Sequence, residues 1–314
     1  MRTYVLRRIT LIIPTIFLVS IVVFALIRAI PGDVVTLMLQ DSKDPQQAEQ
    51  LRQQLGLDKP VVIQYGIWLE HAVQGDLGTS LWTKNSVAGE ISRALPVTLE
   101  LAIISMLIAS LLAIPFGLIS ALMQNRFPDY LVRVISITGL SIPNFWLGTL
   151  LIMLPAIWFR WSPPTTYVSI FADPVQNLKQ FMLPSLSLGY GFSAITMRLM
   201  RSETLEVMRQ DYIRTAQAKG LASRALVMRH ILRNALIPVI TVMGAQARLF
   251  LGGAVLIEQI FLLPGLGRLT LWAIQVRDYP QLQANILIIV IITLLLNLLT
   301  DLSYGWLDPR VRLA

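Results

Sequence analysis

The sequence predicts an all-α membrane protein with six transmembrane helices, an expectation carried by composition, the length of the apolar runs and the placement of the cations. Hydrophobic residues make up 55% of the 314 and charged residues 14%, against about 25% charged in soluble domains; mean hydropathy is +0.64. Apolar runs able to span, roughly 20 residues each, lie at 9–30, 101–123, 131–158, 181–200, 235–263 and 282–302. An even number of spans leaves both termini on one side. That side holds Arg2, Arg7, Arg8, Arg126, Arg133, Arg198, Arg201, Arg209, Arg214, Lys219, Arg224, Arg229, Arg233, Arg310 and Arg312, against Asp129, Glu203, Glu206, Asp211 and Asp308. The excess of cations makes it the cytoplasmic side. A net charge of +8 is thereby accounted for without nucleic acid.

Taken in order, the first run follows Arg2, Arg7 and Arg8 as a signal peptide would. It is longer than the 7–15 residues of a signal h-region, and no small-x-small cleavage site follows, so it reads as an uncleaved helix. The segment 31–97 differs in kind. It carries Asp33, Asp41, Asp44, Glu49, Asp58, Glu70, Asp76 and Glu90 against Lys43, Arg52, Lys59, Lys84 and Arg93, and is long enough for an extracytoplasmic helical subdomain. Asp44-Pro45 opens an amphipathic helix with Leu51 and Leu55 on one face and Gly56 as its stop. VIQYGIWLEHAVQG gives a second helix, with Tyr65, Trp68 and Leu69 available for packing or for the interface. The fourth run contains MLPSLSLGYGFSAITM, whose small and hydroxylated residues suit close helix packing while lowering hydropathy.

Between the fourth and fifth runs lies a basic island, 211–239, broken once by a glycine. Asp211 suits a first helical turn, Lys219 complements the last carbonyls, and Gly220 supplies a left-handed stop. Ser223 is the expected cap of a second short helix, in which Leu221, Ala225, Met228 and Leu232 form an apolar stripe, with Arg224, Arg229 and Arg233 on or beside the other faces. Such a stripe with flanking cations suits either an anionic lipid surface or a groove in a partner protein.

Ionisable residues inside the spans cost about 2.5–3.5 kcal/mol each unless paired or hydrated. Arg248 falls near the middle of the fifth run, Glu258 near its outer end and Asp301 near the inner end of the sixth, while Glu100 and Arg28 are interfacial. Arg248 has two readings, as a lining of a transport pathway that meets a substrate carboxylate, or as half of a structural ion pair; Glu258, before the PGLGR turn, is the weaker pathway candidate. The sequence has no GxxxxGK[ST], no cysteine, no HExxH and no GxSxG, and its only histidines are His71 and His230. Nucleotide binding by a P-loop, thiolate metal sites and serine esterase chemistry are excluded, leaving no catalytic residues, no metal and no cofactor for this chain. A passive channel would not need the basic island.

The string YIRTAQAKG, nine residues and then HILRNALIP resembles the cytoplasmic EAA loop of ATP-binding-cassette (ABC) importer permeases, the helix pair that fits a cleft on the ATPase subunit. On that pattern Arg214, Thr215 and Ala216 take the Glu-Ala-Ala positions, Gly220 is the glycine, and His230 to Arg233 close the block, with Arg214 in place of the acid and Arg233 in place of the proline. Both departures resemble the oligopeptide/dipeptide/nickel branch. So do IPGD at 30–33, LGLDKP at 55–60, GDLGTS at 75–80, SIPNFWLG at 141–148, PGLGRL at 264–269, RDYP at 277–280 and LDPRVR at 307–312, which look like blocks of the permease usually encoded first of its pair. The resemblance implies a type I importer permease fold in a single domain over 1–314, with a coupling loop at 201–234. In that loop Tyr212, Arg214, Thr215, Ala216, Ala218, Lys219, Gly220, Arg229, His230 and Arg233 would meet the ATPase. It further implies a bacterial or archaeal cytoplasmic membrane and four kinds of partner: lipid, a second permease, two ATPases using ATP and Mg, and an extracytoplasmic solute-binding protein resting on the 31–97 subdomain. Di- and oligopeptides are the first expected cargo; nickel, glutathione and oligosaccharides use similar permeases.

Overall fold

The computed structural model describes residues 2–29, 35, 39, 45–54 and 56–307, with 2–9, 45, 51, 54 and 301–307 in backbone only. The IPGD block, Asp41, Lys43, Asp44, Leu55, Asp308, Arg310 and Arg312 lie outside the described residues, as do the side chains of Arg2, Arg7, Arg8, Leu51 and Asp301. The described chain is helical: α1 Arg2–Ala29, α2 Pro45–Gln54, α3 Val61–Val73, α4 Val87–Leu122, α5 Phe127–Ser141, α6 Asn144–Phe159, α7 Pro174–Met208, α8 Asp211–Ala218, α9 Ser223–Phe261, α10 Leu266–Gln275 and α11 Tyr279–Leu307. Among the described residues the only β pairing is an isolated bridge between Thr79 and Ser86.

Among the described residues four helices are long and apolar enough to cross a membrane, in Thr10–Ala29, Val87–Leu122, Ser223–Phe261 and Tyr279–Thr300. The third predicted span is not one straight helix. Pro143 drives Ile142 out of the helical region to ψ 120°, and α5 and α6 meet at 103°; the pair counts as at most one further span. The fourth predicted span does form a long helix, the 35-residue α7, but it falls below the hydropathy of a candidate span. Its burial explains why. Phe181, Leu188, Ala194, Met197 and Met200 are buried together with Ser185, Ser187, Ser193, Thr196 and Thr204. This helix faces protein along much of its length, so its hydroxyls are buried in the fold instead of meeting lipid, those of Ser187, Ser193 and Thr196 with hydrogen bonds to Pro184 O, Tyr190 O and Phe192 O. Gly189 shows how tight the contact is: a Cβ there would stand 2.6 Å from the carbonyl oxygen of Ser105.

The chain divides into two compact units. One comprises Val97–Pro264 with the chain from Leu295 onward. Here α7 packs against α5, α6 and α9, and Leu101, Phe181, Leu188, Phe250, Ile257 and Phe261 centre the core. Asp173 caps α7 by accepting from the amides of Val175 and Gln176, both at 3.0 Å. On the outward side of α4, Ile103, Leu107 and Leu111 remain exposed at a spacing of four, the apolar stripe of a helix that meets lipid or another membrane chain.

The other unit comprises Arg2–Pro96 with Gly265–Leu294. α3 packs on α1 through its aromatics: the Tyr65 ring lies 5.3 Å from Phe24 and its hydroxyl 2.8 Å from Ser20 Oγ. Tyr65 and Trp68 are therefore packing residues. The predicted helix before Gly56 ends in hydrogen bonds from Gly56 N to Gln53 O and Leu57 N to Arg52 O. Two of the blocks, GDLGTS and RDYP, meet at a buried carboxylate, where Asp278 accepts from the Ser80 hydroxyl and the Leu81 amide.

Candidate functional site

The basic island folds as a buried base beneath an exposed face. Ile213, Leu226 and Ile231 form the base, with Val207, Met208, Ala216 and Val227 packed against it. α8 opens at Asp211 and closes in a turn whose hydrogen bonds run from Gly220 N to Gln217 O at 2.9 Å and from Leu221 N to Ala216 O at 3.3 Å. That pair defines a Schellman stop, and Gly220 takes the left-handed φ of +77° it demands. A Cβ on Gly220 would meet nothing within 4 Å, so glycine is needed for the backbone and not for space.

The second half departs from expectation in three ways. Ser223 is not a cap: Ala222 holds that position and no side chain caps the helix. The helix is not a separate short element, because it runs without a break into the fifth span as α9. Its first turns also widen into a π-helix over Leu226–Ile231. With π spacing, residues five apart share a face, so Leu226 and Ile231 are buried, while Leu221 and Met228 of the expected stripe stay 38% and 54% exposed.

The exposed side carries Tyr212, Arg214, Thr215, Ala218, Lys219, Gly220, Arg229 and Arg233, with His230 half-buried and Ala216 turned toward the base. Arg214 reaches Asp211 at 3.4 Å, but the side chains are 72% and 94% exposed, a geometry that contributes little in water. The face is thus a cationic, partly aromatic surface with few internal partners for its charges.

A feature not singled out from the sequence lies in the same unit. Asp129, fully buried on α5, is gripped by Arg201 of α7 through Nε at 2.8 Å and Nη2 at 2.9 Å, and accepts also from Ser120 Oγ and the Asn125 amide. Every lone pair of the carboxylate finds a donor, and the two-pronged fork fixes α5 to α7 near the start of the basic island. Sequence reading counted both residues merely as charges flanking spans, since their pairing spans 72 positions.

The two pathway candidates have different surroundings. Arg248 is exposed and donates from Nη1 to Asn297 Oδ1 at 3.2 Å; among the described residues it has no acid partner within ion-pair distance. Glu258 is fully buried, and accepts a 2.6 Å hydrogen bond from Thr98 Oγ1. Among the described residues no group of acids, histidines and cysteines forms a metal cluster.

These features define a helical membrane subunit with an exposed basic face on α8 and the start of α9. Residues 113–313 match the family described as binding-protein-dependent transport system inner membrane component, and residues 1–102 match its N-terminal companion. The glutathione transport system permease protein GsiC of Escherichia coli O6:H1 is 41% identical over 312 residues, covering 99% of both chains, and that of Escherichia coli K12 is 40% identical over the same coverage. The fold is shared with solved ABC transporters at low identity. An inward-facing MetNI methionine ABC transporter aligns with a TM-score of 0.56 at 15% identity over 70% of this chain and 96% of its own. An amino acid ABC transporter aligns at 0.52 and 16% over 69% and 94%. The chain belongs to the family of binding-protein-dependent transport system inner membrane components, in its peptide/nickel branch. It is the permease subunit of an ABC importer and not an enzyme.

Proposed function

We propose that this permease moves short peptides inward across the cytoplasmic membrane, and that the basic island is the surface through which it is driven. The observation that carries the coupling role is the pairing of a buried base with an exposed cationic face, whose second half lies within a 39-residue helix. Tyr212, Arg214, Thr215, Ala218, Lys219, Arg229 and Arg233 contact an ATPase, Ala216 and Gly220 shape the turn, and His230 borders the contact. Two ATPases supply the energy from ATP and Mg. Six spans per permease, α5 and α6 forming one and α7 another, pair with six from a second homologous permease around a single path. Both termini and the 201–234 loop face the cytoplasm, and the 31–97 segment faces outward as a platform for a solute-binding protein. Alternating access follows from differential binding: ATP closes the ATPase pair, the docked islands follow, and the path changes side.

Among cargoes, glutathione is the specific candidate within the peptide class. It is a tripeptide, and relatives 40–41% identical over nearly full length carry its name. Arg248, exposed and without an acid partner among the described residues, supports the pathway reading by offering a cation to a passing carboxylate; Glu258, buried against Thr98, supports a structural role. The test is uptake by proteoliposomes containing the assembled transporter and its binding protein, with labelled glutathione, an unmodified dipeptide and Ni²⁺ in competition. Selective glutathione or dipeptide uptake is expected, with no ATP hydrolysis by the permease chain alone. Nickel uptake insensitive to either peptide overturns the cargo, and ATP turnover by this chain alone overturns the division of labour.

A further inference from the structure

Within the unit formed by Arg2–Pro96 and Gly265–Leu294 lies a cavity of about 380 Å³, in the range of small-ligand sites. Its wall is amphipathic, with Phe24, Ile67, Leu81 and Tyr279 on the apolar side and Arg28, Trp68 and Gln283 among the polar groups. The Arg28 guanidinium is held at 4.8 Å over the Phe24 ring and 5.1 Å over the Tyr279 ring, which fixes it as a flat donor without giving its N–H groups an acceptor. Its Nε and Nη1 are buried without a hydrogen-bond partner, and so are Trp68 Nε1 and Gln283 Nε2. Three side chains from α1, α3 and α11 thus bring four unpartnered donor nitrogens to one cavity. Buried polar groups in folded proteins are overwhelmingly paired; among the described lining residues Gln64 Oε1 is an orphan acceptor, and four orphan donors against it, two of them on a guanidinium, favour an acceptor-rich anion as the complement.

We propose that this cavity is an oxyanion site, which takes a phosphate or carboxylate group between Arg28, Trp68 and Gln283. The guanidinium supplies the charge, while the indole and amide N–H groups fix the orientation. Lys59 and His71 also line the cavity, against the single acid Asp76, so the balance of charge favours an anion. The apolar wall admits a ligand with a hydrocarbon body. Two sources carry this chemistry. Arg28 stands in the last turn of an apolar span whose Val22 and Leu26 are exposed, the level at which phospholipid headgroups lie; a soluble organic anion offers the same oxygens. The site shares no residue with the basic island, and its test does not depend on cargo or on coupling.

The assembled transporter in detergent is exchanged with phosphatidylglycerol or phosphatidylcholine and the retained lipid is counted by native mass spectrometry; in parallel, glutarate binding is titrated by calorimetry. If the source is lipid, phosphatidylglycerol is retained over phosphatidylcholine, and Arg28→Gln weakens retention by about tenfold or more, the size expected for a lost charged hydrogen bond. If the source is soluble, glutarate binds the wild type and the same substitution removes it. Gln283→Met and Trp68→Phe keep the charge and test the orienting donors, each with a loss of roughly threefold to tenfold; they carry the test should Arg28→Gln fail to assemble. Wild-type protein that holds neither probe, or variants that hold either probe as well as wild type, overturn the proposal.

Discussion

Replacing Gly220 separates the backbone requirement of the proposed coupling turn from its surface. Gly220 stands at φ +77° with no atom within 4 Å of a would-be Cβ, so a substitution there meets no clash and pays only for a left-handed backbone. That cost is about 1–2 kcal/mol for an ordinary L-residue, more for a β-branched one, and small for asparagine, which visits this region readily. An energy of that size lowers the population of the native turn by roughly 5- to 30-fold relative to its alternatives. Gly220→Ala is therefore expected to weaken substrate-stimulated ATP hydrolysis and uptake, Gly220→Val to abolish both, and Gly220→Asn to retain most of each. Membrane insertion is unaffected in all three because it depends on the apolar runs. The assay is uptake and ATPase rate in vesicles with equal amounts of assembled transporter. Wild-type coupling in Gly220→Val refutes the mechanical role of this turn, and equal damage from Ala and Asn refutes the backbone explanation.

Asp129→Ala leaves Arg201 without its buried partner and is expected to destabilise the subunit by about 3–5 kcal/mol, seen as a lower melting temperature of the assembled transporter; an unchanged melting temperature would show that the fork is idle. Arg248→Ala is expected to reduce uptake severalfold while assembly and basal ATPase activity stay near wild type, and loss of the protein from the membrane would instead make Arg248 structural. Cysteines placed singly at Gln46 and Ser223 in this cysteine-free chain should label from opposite sides of the membrane, with same-side labelling sinking the six-span topology. Arg214→Glu restores the acid of the general family pattern; the proposed cationic contact predicts weaker ATPase stimulation, and full activity would show that Arg214 makes no specific contact.

Much of this architecture was legible because it is written in local signals. The spans of α1, α4, α9 and α11 follow from apolar runs, and the stop at Gly220 follows from one residue whose conformational freedom is unique. What escaped depends on contacts distant in sequence or on departures from regular helix. Hydropathy undervalues α7, since Ser187, Ser193 and Thr196 are buried and hydrogen-bonded inside protein, a fate no window average can anticipate. Pro143 was the available clue to the bend between α5 and α6, inside a run otherwise apolar throughout. The π-turn at Leu226–Ile231 leaves no mark that a 3.6-residue template registers, so the expected stripe takes in the exposed Leu221 and Met228 and misses the buried Leu226 and Ile231. The Asp129–Arg201 fork is a tertiary fact outright.

The continuity of α9 bears on how motion would cross the membrane in the proposed mechanism. From Ser223 to Phe261 it runs 39 residues, about 58 Å at 1.5 Å per residue, so one helix carries the docking face at its start, Arg248 in its middle and Glu258 near its end. Two short helices joined to a separate span would need a hinge, and a hinge absorbs displacement. A continuous helix passes it on. The buried Leu226 and Ile231 tie its start to Ile213 of α8, and α7, which leads into α8, is tied to α5 by the Asp129–Arg201 fork. A push on the exposed cations is therefore shared between α9 and the α5–α7 pair. Cutting the fork should leave docking intact while lowering the ratio of uptake to ATP hydrolysis, whereas disturbing Gly220 should lower docking itself; Arg201→Lys, which keeps the charge but loses the fork, distinguishes the two through that ratio. An unchanged ratio in Arg201→Lys would confine the transmission to α9.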